Sequence, residues 1–377
     1  MREIEYRMAS FKEKCSRFKD KNIILYGTGI NAKVLLDNFP DYNIMGLMDQ
    51  NKEGKFIYGK KVLSQEEVIE LQADVIIIAA QIDSAQIVYH RIVNFCITHH
   101  ILLYDIYGNN IVKMRRQLLY QEISYCKYNE DYLIEKIKEY DIISFDFMDT
   151  LVMRDVISQI PIFNAVLSKA ETQGLNIPGF IEMRSKMVKD RGGDYTSLDD
   201  IYGLIGNMAD ITKDDEKILI GLEREEQKKH IVLRKAMKKV LNAAISKGKK
   251  VYIISDQPLL RDDIVEILEE IKGPIELLIE YESGCTKYNG LYRKLIESEK
   301  AHKYLHIGDN SVADGIAPLT YGMDAFVIKS GAEILNAISE SCSPNIETFT
   351  KECIIEKGIH ISEEFNNPFV MCQMGKK

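Results

Sequence analysis

No CxxC pair occurs among the seven cysteines, which are scattered from Cys15 to Cys372. That lack speaks against a disulfide framework and against a structural zinc site, and it fits a reducing cytoplasm. No apolar run approaches the roughly 18–20 residues that cross a bilayer, so no membrane association is expected. The first segment, MREIEYRMASFKEKCSRFKDK, is amphipathic rather than a basic stretch followed by an apolar block, which is not the pattern of a secretory signal. Positive charge is also in short supply: 49 Lys and Arg against 57 Asp and Glu give a net charge of -8. Phosphate-backbone binding needs a concentrated basic surface, so no nucleic-acid partner is expected. The one Lys-rich stretch, Lys228 to Lys250, is interleaved with apolar residues at helical spacing and reads as a solvated helix face.

What is present suits a soluble, well-packed protein, with 46% hydrophobic and 28% charged residues. A single core usually stops growing near ~250–300 residues, and 377 residues exceed that, so at least two domains are expected. After an amphipathic N-terminal helix, the runs NIILYG, IMGLMD, ADVIIIAA and ILLYDIYG alternate with helical patterns up to Gly108. Buried β-branched runs separated by helices predict a parallel sheet covered on both faces. Residues 109–140 read as a helical connector. A second α/β unit opens at DIISFDF and is interrupted by a mostly helical insert, residues 156–250, before VYIISD, IELLIE, YLHIGD and DAFVI resume. Residues 331–377 give no clear pattern and read as a tail. The expected fold class is therefore α/β, with two parallel-sheet domains over 1–108 and over 141–155 plus 251–330.

In the first of these, Tyr26-Gly27-Thr28-Gly29-Ile30-Asn31-Ala32 follows a strand and opens a helix, matching G-x-G-x-x-A. Gly27 and Gly29 would let the backbone approach a pyrophosphate at the helix N-terminus, and Asp49, ending the next strand, could accept from a ribose. The same turn also serves plain strand-to-helix packing, so a nucleotide or dinucleotide site and a structural or partner-docking role both stay open. The stretch GLMDQNKEGKFIYGKKVLS resembles Rossmann-like nucleotide-binding domains attached to sugar-modifying and surface-polysaccharide enzymes.

In the second, four polar segments each end a predicted strand. They are Ser144-Phe145-Asp146-Phe147-Met148-Asp149-Thr150-Leu151; VYIISD, with Ser255; Cys285-Thr286-Lys287-Tyr288-Asn289-Gly290; and Gly308-Asp309-Asn310-Ser311-Val312-Ala313-Asp314. Ligands collect at the carboxyl ends of strands in open parallel sheets, so the four point to one site. In this order they resemble the motifs of the haloacid dehalogenase-like superfamily over residues 141–330. That resemblance implies a hydrolase, most simply a phosphatase of phosphoric monoesters. Asp146 would be the covalent nucleophile, Ser255 would bond a phosphoryl oxygen, and Lys287 would offset charge between the two. Asp146, Asp309, Asp314 and the backbone carbonyl of Met148 would serve Mg²⁺, Asp314 from an outer layer or through water.

One position departs from the pattern. Family phosphatases carry an acid two residues after the nucleophile, where this chain has Met148, and Asp149 stands at the place usually held by glycine. Three accounts survive: Asp149 or a residue of the insert supplies the proton; the chemistry needs no acid there, as in the dehalogenase and phosphonatase branches; or the fold is kept as a binding scaffold with weak or absent catalysis. The FDxxDTL variant recurs in the superfamily, often near glycosyltransferases and surface-polysaccharide enzymes, and this favours the first account. The resemblance makes the insert a helical cap, with Arg184, Lys189, Arg191, Gly192 and Gly193 as candidates for contacting an anionic or sugar substrate. Arg184 and Lys189 also read as solvated helix residues. Glu223, Glu226 and Arg234 lie at spacings that fit helical ion pairs, with no chemistry assigned.

The whole reads as a cytoplasmic, Mg²⁺-dependent phosphohydrolase acting on a small phosphorylated metabolite, a sugar or polyol phosphate of surface-polysaccharide synthesis. Its expected partners are that substrate, a second copy in a homodimer, or enzymes of polysaccharide synthesis.

Overall fold

The computed structural model describes residues 2–156, 158–189, 197–299, 303–341 and 366–370. Two compact units emerge. One comprises Met1–Ile123 with the short segments Tyr288–Tyr292 and Ser311–Gly322; the other holds Ser124–Lys287, Arg293–Asn310 and the residues from Met323 onward.

The first unit opens with helix α1 (Glu3–Cys15) and strand β1 (Ile23–Tyr26), followed by α2 (Ile30–Asn38) and β2 (Ile44–Met48). A small hairpin, β3 (Phe56–Ile57) and β4 (Lys60–Lys61), leads to α3 (Gln65–Glu70), β5 (Val75–Ile78), α4 (Ile82–Thr98), β6 (Leu102–Asp105) and α5 (Ile111–Ile123). The four longer strands form one parallel sheet in the order β2-β1-β5-β6. Every residue of β1 and β5 is buried, which is why these strands read as unbroken apolar runs rather than as alternating ones.

In the second unit α6 (Glu130–Lys136) precedes β7 (Ile142–Asp146) and the short β8 (Val152–Arg154). Four helices follow: α7 (Ile160–Thr172), α8 (Phe180–Lys189), α9 (Leu198–Ala209) and α10 (Lys213–Lys229). The chain returns through β9 (Ile231–Leu233), α11 (Lys235–Ser246), β10 (Lys250–Ser255), α12 (Arg261–Ile267), β11 (Glu276–Ile279) and α13 (Glu280–Ser283). It then passes α14 (Leu291–Ser298), whose first residues belong to the first unit, β12 (Tyr304–Gly308), α15 (Ala317–Thr320) of the first unit, and in the second unit again β13 (Asp324–Val327) and α16 (Gly331–Ser341). The parallel sheet runs β11-β10-β7-β12-β13, so the strand that carries Asp146 is central. The expected α/β class with two parallel sheets is what the structure has.

The insert between β8 and β9 holds its own core, in which Phe163, Phe180, Tyr202 and Leu219 pack with little or no exposure. Its helix starts are written in sequence. Ser197 with Asp200, and Thr212 with Asp215, form capping boxes that satisfy the first free N–H groups of α9 and α10. Acids in the first turn of α10 and Lys228 and Lys229 in its last complement the helix dipole. The antiparallel ribbon β8–β9 carries the chain into and out of these helices. Among the described residues, no helix is long and apolar enough to cross a membrane.

Candidate active site

The site of the second unit is fixed by strand register. Asp146 ends β7, directly opposite Ile254 of β10, with Ser255 one residue further on. On the other side Ile307 lies opposite Phe145, which places Asp309 just past the end of β12. Neighbouring strands lie about 4.8 Å apart, so residues leaving adjacent strands at one level are brought together whatever their separation in sequence.

They do converge. Lys287 Nζ donates to Asp146 Oδ1 at 2.5 Å, and both side chains are almost fully buried. The Lys287 backbone N–H is held at 2.5 Å by Glu280 Oε1, so the lysine is positioned from α13. Carboxylate oxygens of Asp146 and Asp309 lie within 4.8 Å of one another. Asp314 is fully buried in the helical turn after β12, with the Tyr292 hydroxyl 3.4 Å from its Oδ1. Thr150 Oγ1 donates to Asp309 Oδ1 at 3.3 Å. Ser255 is buried at its strand end, and its Oγ accepts from the Gln257 N–H at 3.2 Å. Carboxylates this close repel one another unless protons or cations intervene, and an all-oxygen donor set suits a hard divalent ion such as Mg²⁺. The residues present therefore fit that ion.

Between Asp146 and β8 the chain makes a tight loop in which the Leu151 and Val152 N–H groups both bond the Phe147 carbonyl. Met148 turns its side chain into the apolar core. Asp149 is only partly buried and takes φ +58, the left-handed region. This explains why glycine suits that place, and makes an aspartate there a departure with a conformational cost. Burial raises the Asp149 carboxyl above the usual aspartate value, with Arg154 and Arg234 pulling against that rise.

Three residues left without assigned chemistry by the sequence support the site, Arg234 and Thr150 at this loop and Glu280 at Lys287. Arg234 is fully buried, and its guanidinium donates to the backbone carbonyls of Asp149, Asn366 (2.9 Å) and Lys329 (2.8 Å). It is not part of a helical ion pair, as its spacing suggested, because it lies beyond the end of α10 and faces the loop. Thr150 and Glu280 were likewise not singled out. Nothing in the sequence marks them, because their partners are more than one hundred residues away or lie on another element.

Arg184 also departs from expectation. It neither faces a substrate nor stands in solvent: it is fully buried and forks onto Glu223 at 2.8 and 2.6 Å, with the Tyr202 hydroxyl donating to the same carboxylate at 2.6 Å. Glu223 therefore pairs across helices rather than along its own. Burial works to raise its pKa, but Arg184 and its hydrogen bonds hold it below the usual glutamate value. Glu226 pairs with Lys169 and Lys229. Arg191, Gly192 and Gly193, and the side chain of Lys189, lie outside what the structure describes.

The strand ends of the first unit are arranged differently. Gly27 has φ +121, and a Cβ there would stand 3.3 Å from the Ala79 carbonyl oxygen, so strand packing alone requires glycine. Gly29 has ordinary φ, and a Cβ would meet nothing within 4 Å. Asp49 accepts from Thr28 Oγ1 at 2.6 Å and from the Asn51 N–H at 3.1 Å, with Lys52 Nζ 3.7 Å away. Burial acts to raise its pKa, yet these partners hold it below the usual value.

A family model described as C2185-like, N-terminal, matches residues 19–98. No curated protein matches the chain. Several solved structures resemble about half of it. They include a HAD phosphatase from Thermococcus onnurineus (15% identity, 50% of this chain and 86% of that one, TM-score 0.36). A protein described as a haloacid dehalogenase-like hydrolase, from Bacteroides fragilis, is 20% identical over 49% of this chain and 85% of that one, with TM-score 0.31. A hydrolase from Streptococcus pneumoniae is 16% identical over 53% of this chain and 98% of that one, with TM-score 0.30. Likeness at this level leaves function to the distances above.

Proposed function

We propose that the second unit is a Mg²⁺-dependent phosphohydrolase of the haloacid dehalogenase-like superfamily, working through an aspartyl-phosphate on Asp146. The carrying observation is the buried Lys287–Asp146 contact beside Asp309. A lysine at this place neutralises the nucleophile and leaves it ionised, and it also attracts a phosphoryl oxygen. Asp146, Asp309 and Asp314, with the carbonyl of Met148, would hold the metal. When bound, Mg²⁺ supplies charge neutralisation between the nucleophile and an anionic ester.

Asp146 attacks phosphorus, forming a carboxyl O–P bond as the ester P–O bond breaks, while Ser255 bonds a phosphoryl oxygen. Asp149, whose burial favours its protonated form, gives its proton to the departing alkoxide. Water then attacks the acyl phosphate, Asp149 takes the proton back, and inorganic phosphate leaves with Asp146 restored. The strained backbone of Asp149 supports this assignment, since strain kept at such a place is a pointer to function. The helical insert would act as a cap that excludes water and carries specificity. The substrate class we favour is a small sugar or polyol phosphate of surface-polysaccharide synthesis, handled in the cytoplasm.

A second reading follows from Met148, which cannot transfer a proton: a scaffold with weak catalysis, whose N-terminal unit binds a nucleotide or a partner enzyme at Gly27, Gly29 and Asp49. A phosphatase screen with Mg²⁺ separates the two. Turnover that disappears in Asp146→Asn supports the enzyme; silence toward every phosphate ester, with tight binding of NAD or a nucleotide sugar, supports the scaffold.

A further inference from the structure

The loop after Lys287 is held from the N-terminal helix. Tyr288–Tyr292 and Ser311–Gly322, which directly follow Lys287 and Asn310, both belong to the first unit together with α1. Within that unit the Gly290 N–H donates to the Tyr321 hydroxyl oxygen at 2.9 Å. The Tyr321 hydroxyl donates in turn to Glu3 Oε1 at 2.9 Å, and the Tyr107 hydroxyl donates to the same oxygen at 2.7 Å. Tyr107 and Tyr321 are almost fully buried, and Glu3 is half-buried in the first turn of α1. Two residues past Gly290, the Tyr292 hydroxyl donates to the Ala313 carbonyl at 2.8 Å and lies 3.4 Å from Asp314 Oδ1. Its ring centroid is 6.3 Å from that of Tyr321.

The count of hydrogens gives this arrangement a direction. A phenol has a single hydrogen to donate and lone pairs that accept. Both phenols point their hydrogen at Glu3, so the Tyr321 oxygen is an acceptor on the side where the Gly290 N–H meets it. Without the carboxylate the two hydroxyls, 3.1 Å apart, would turn toward each other, and the Tyr321 lone pair would no longer be fixed toward Gly290. Gly290 takes φ +95, a backbone that favours glycine, so the chain turns where it is held. Lys287 lies three residues before that point, and its own N–H is bonded to Glu280. The lysine side chain therefore leaves a short stretch of backbone that is secured on both sides. Its contact with Asp146 demands such control, since a misplacement of about 1 Å can cost on the order of 10²-fold in rate.

We infer that Glu3 and Tyr321 are positioning residues, which through the Gly290 N–H hold the loop that presents Lys287, so that α1 sets the rate of the reaction assigned to Lys287 and Asp146. This rests on the phosphohydrolase reading above and adds to it a dependence on the first unit.

The test uses the full chain with Mg²⁺ and p-nitrophenyl phosphate. Glu3→Ala removes the carboxylate, and Tyr321→Phe, the milder variant for folding, removes the acceptor while keeping the ring. Each should lower kcat by roughly 10-fold or more and change KM by less than about 3-fold. Glu3→Gln, whose amide oxygen still accepts, should recover most of the loss. Melting curves check that each variant is folded. Amide exchange adds a readout that needs no turnover: the segment 287–292 should exchange roughly 10-fold faster in Glu3→Ala and in Tyr321→Phe, with the strands of both sheets unchanged.

An unchanged kcat, a loss confined to KM, or a loss of kcat without faster exchange of that segment would overturn the inference. Absence of turnover by the unmodified protein would end the phosphohydrolase reading instead. Exchange alone then decides: faster exchange in both variants keeps Glu3 and Tyr321 as the residues that position the loop, and unchanged exchange removes them.

Discussion

Both parallel sheets place polar residues at the carboxyl ends of buried apolar strands, yet only the second brings acids from separate strands together among the described residues. At the strand ends of the first sheet the acids are satisfied by a hydroxyl, by backbone N–H groups or by a nearby lysine. Asp49 is taken up by Thr28, Asn51 and Lys52, and Asp105, at the end of β6, accepts from the Tyr107 and Asn109 N–H groups at 2.9 and 2.8 Å. In the second, Asp146 is bonded by a lysine 141 residues away and stands with Asp309 within 4.8 Å. A carboxylate such as Asp105, closed off by the N–H groups of its own loop, is a turn device. One that meets others from distant segments carries a desolvation and repulsion cost that local structure does not require, and function is the usual reason for bearing it.

The sharpest way to break this contrast is to remove the nucleophile. Asp146→Asn should lower turnover by roughly 10⁴-fold or more with the fold retained, measured as phosphate release from an active ester alongside a melting curve. Persisting turnover would return Asp146 to the rank of an ordinary strand-end acid. Next comes Asp149. Its replacement by Asn should cost about 10²–10⁴ in rate if it carries the proton. Asp149→Gly should lose as much activity while melting no lower, because glycine accepts the left-handed backbone that Asp149 adopts at φ +58 without cost. Unchanged rates in both variants would remove Asp149 from the chemistry.

Glu223 tests whether burial of charge in the insert is structural. Glu223→Ala leaves Arg184 unpaired in the interior and should destabilise the second unit by about 3–5 kcal/mol, seen as a lowered midpoint in urea. Because Arg184 holds the folded-state pKa of Glu223 below its usual 4.5, its contribution is present above that value and is lost as the pH falls through the lower folded-state value. Glu223→Gln should therefore flatten the acid limb of stability, and an unaltered limb would place the acid sensitivity elsewhere.

The smallest effects concern the glycine turn. Gly27→Ala should cost about 1–3 kcal/mol, because its φ of +121 and the nearby Ala79 carbonyl both oppose a side chain. Gly29→Ala should change stability by less than about 0.5 kcal/mol. If Gly29→Ala abolishes binding of NAD or a nucleotide sugar while leaving the melting curve alone, the first sheet has a site after all and the contrast between the two sheets fails.

Much of the candidate site was legible because its residues are marked twice, by type and by place at the end of an apolar run. Asp146, Ser255 and Asp309 carried both marks, whereas Lys287 lies beyond α13 and Asp314 in the helical turn after β12, so only their residue types and order marked them. Arg184 carried the wrong one: a basic residue in an amphipathic helical stretch reads as solvated, and only the packing of α8 against α10 reveals that Glu223 awaits it in the interior. Arg234 was misread for a similar reason, since i, i+3 and i, i+4 spacing indicates a partner only while the helix continues, and α10 ends at Lys229.

The order of apolar runs, the helix caps at Ser197 and Thr212, and the residue types at each strand end were determined by sequence alone, because they depend on neighbours a few residues apart. Which strand ends meet was decided by tertiary structure. Parallel register across β10, β7 and β12 lines up residues more than one hundred positions apart, and hydrogen bonding between strands depends on spatial neighbours that local sequence does not encode.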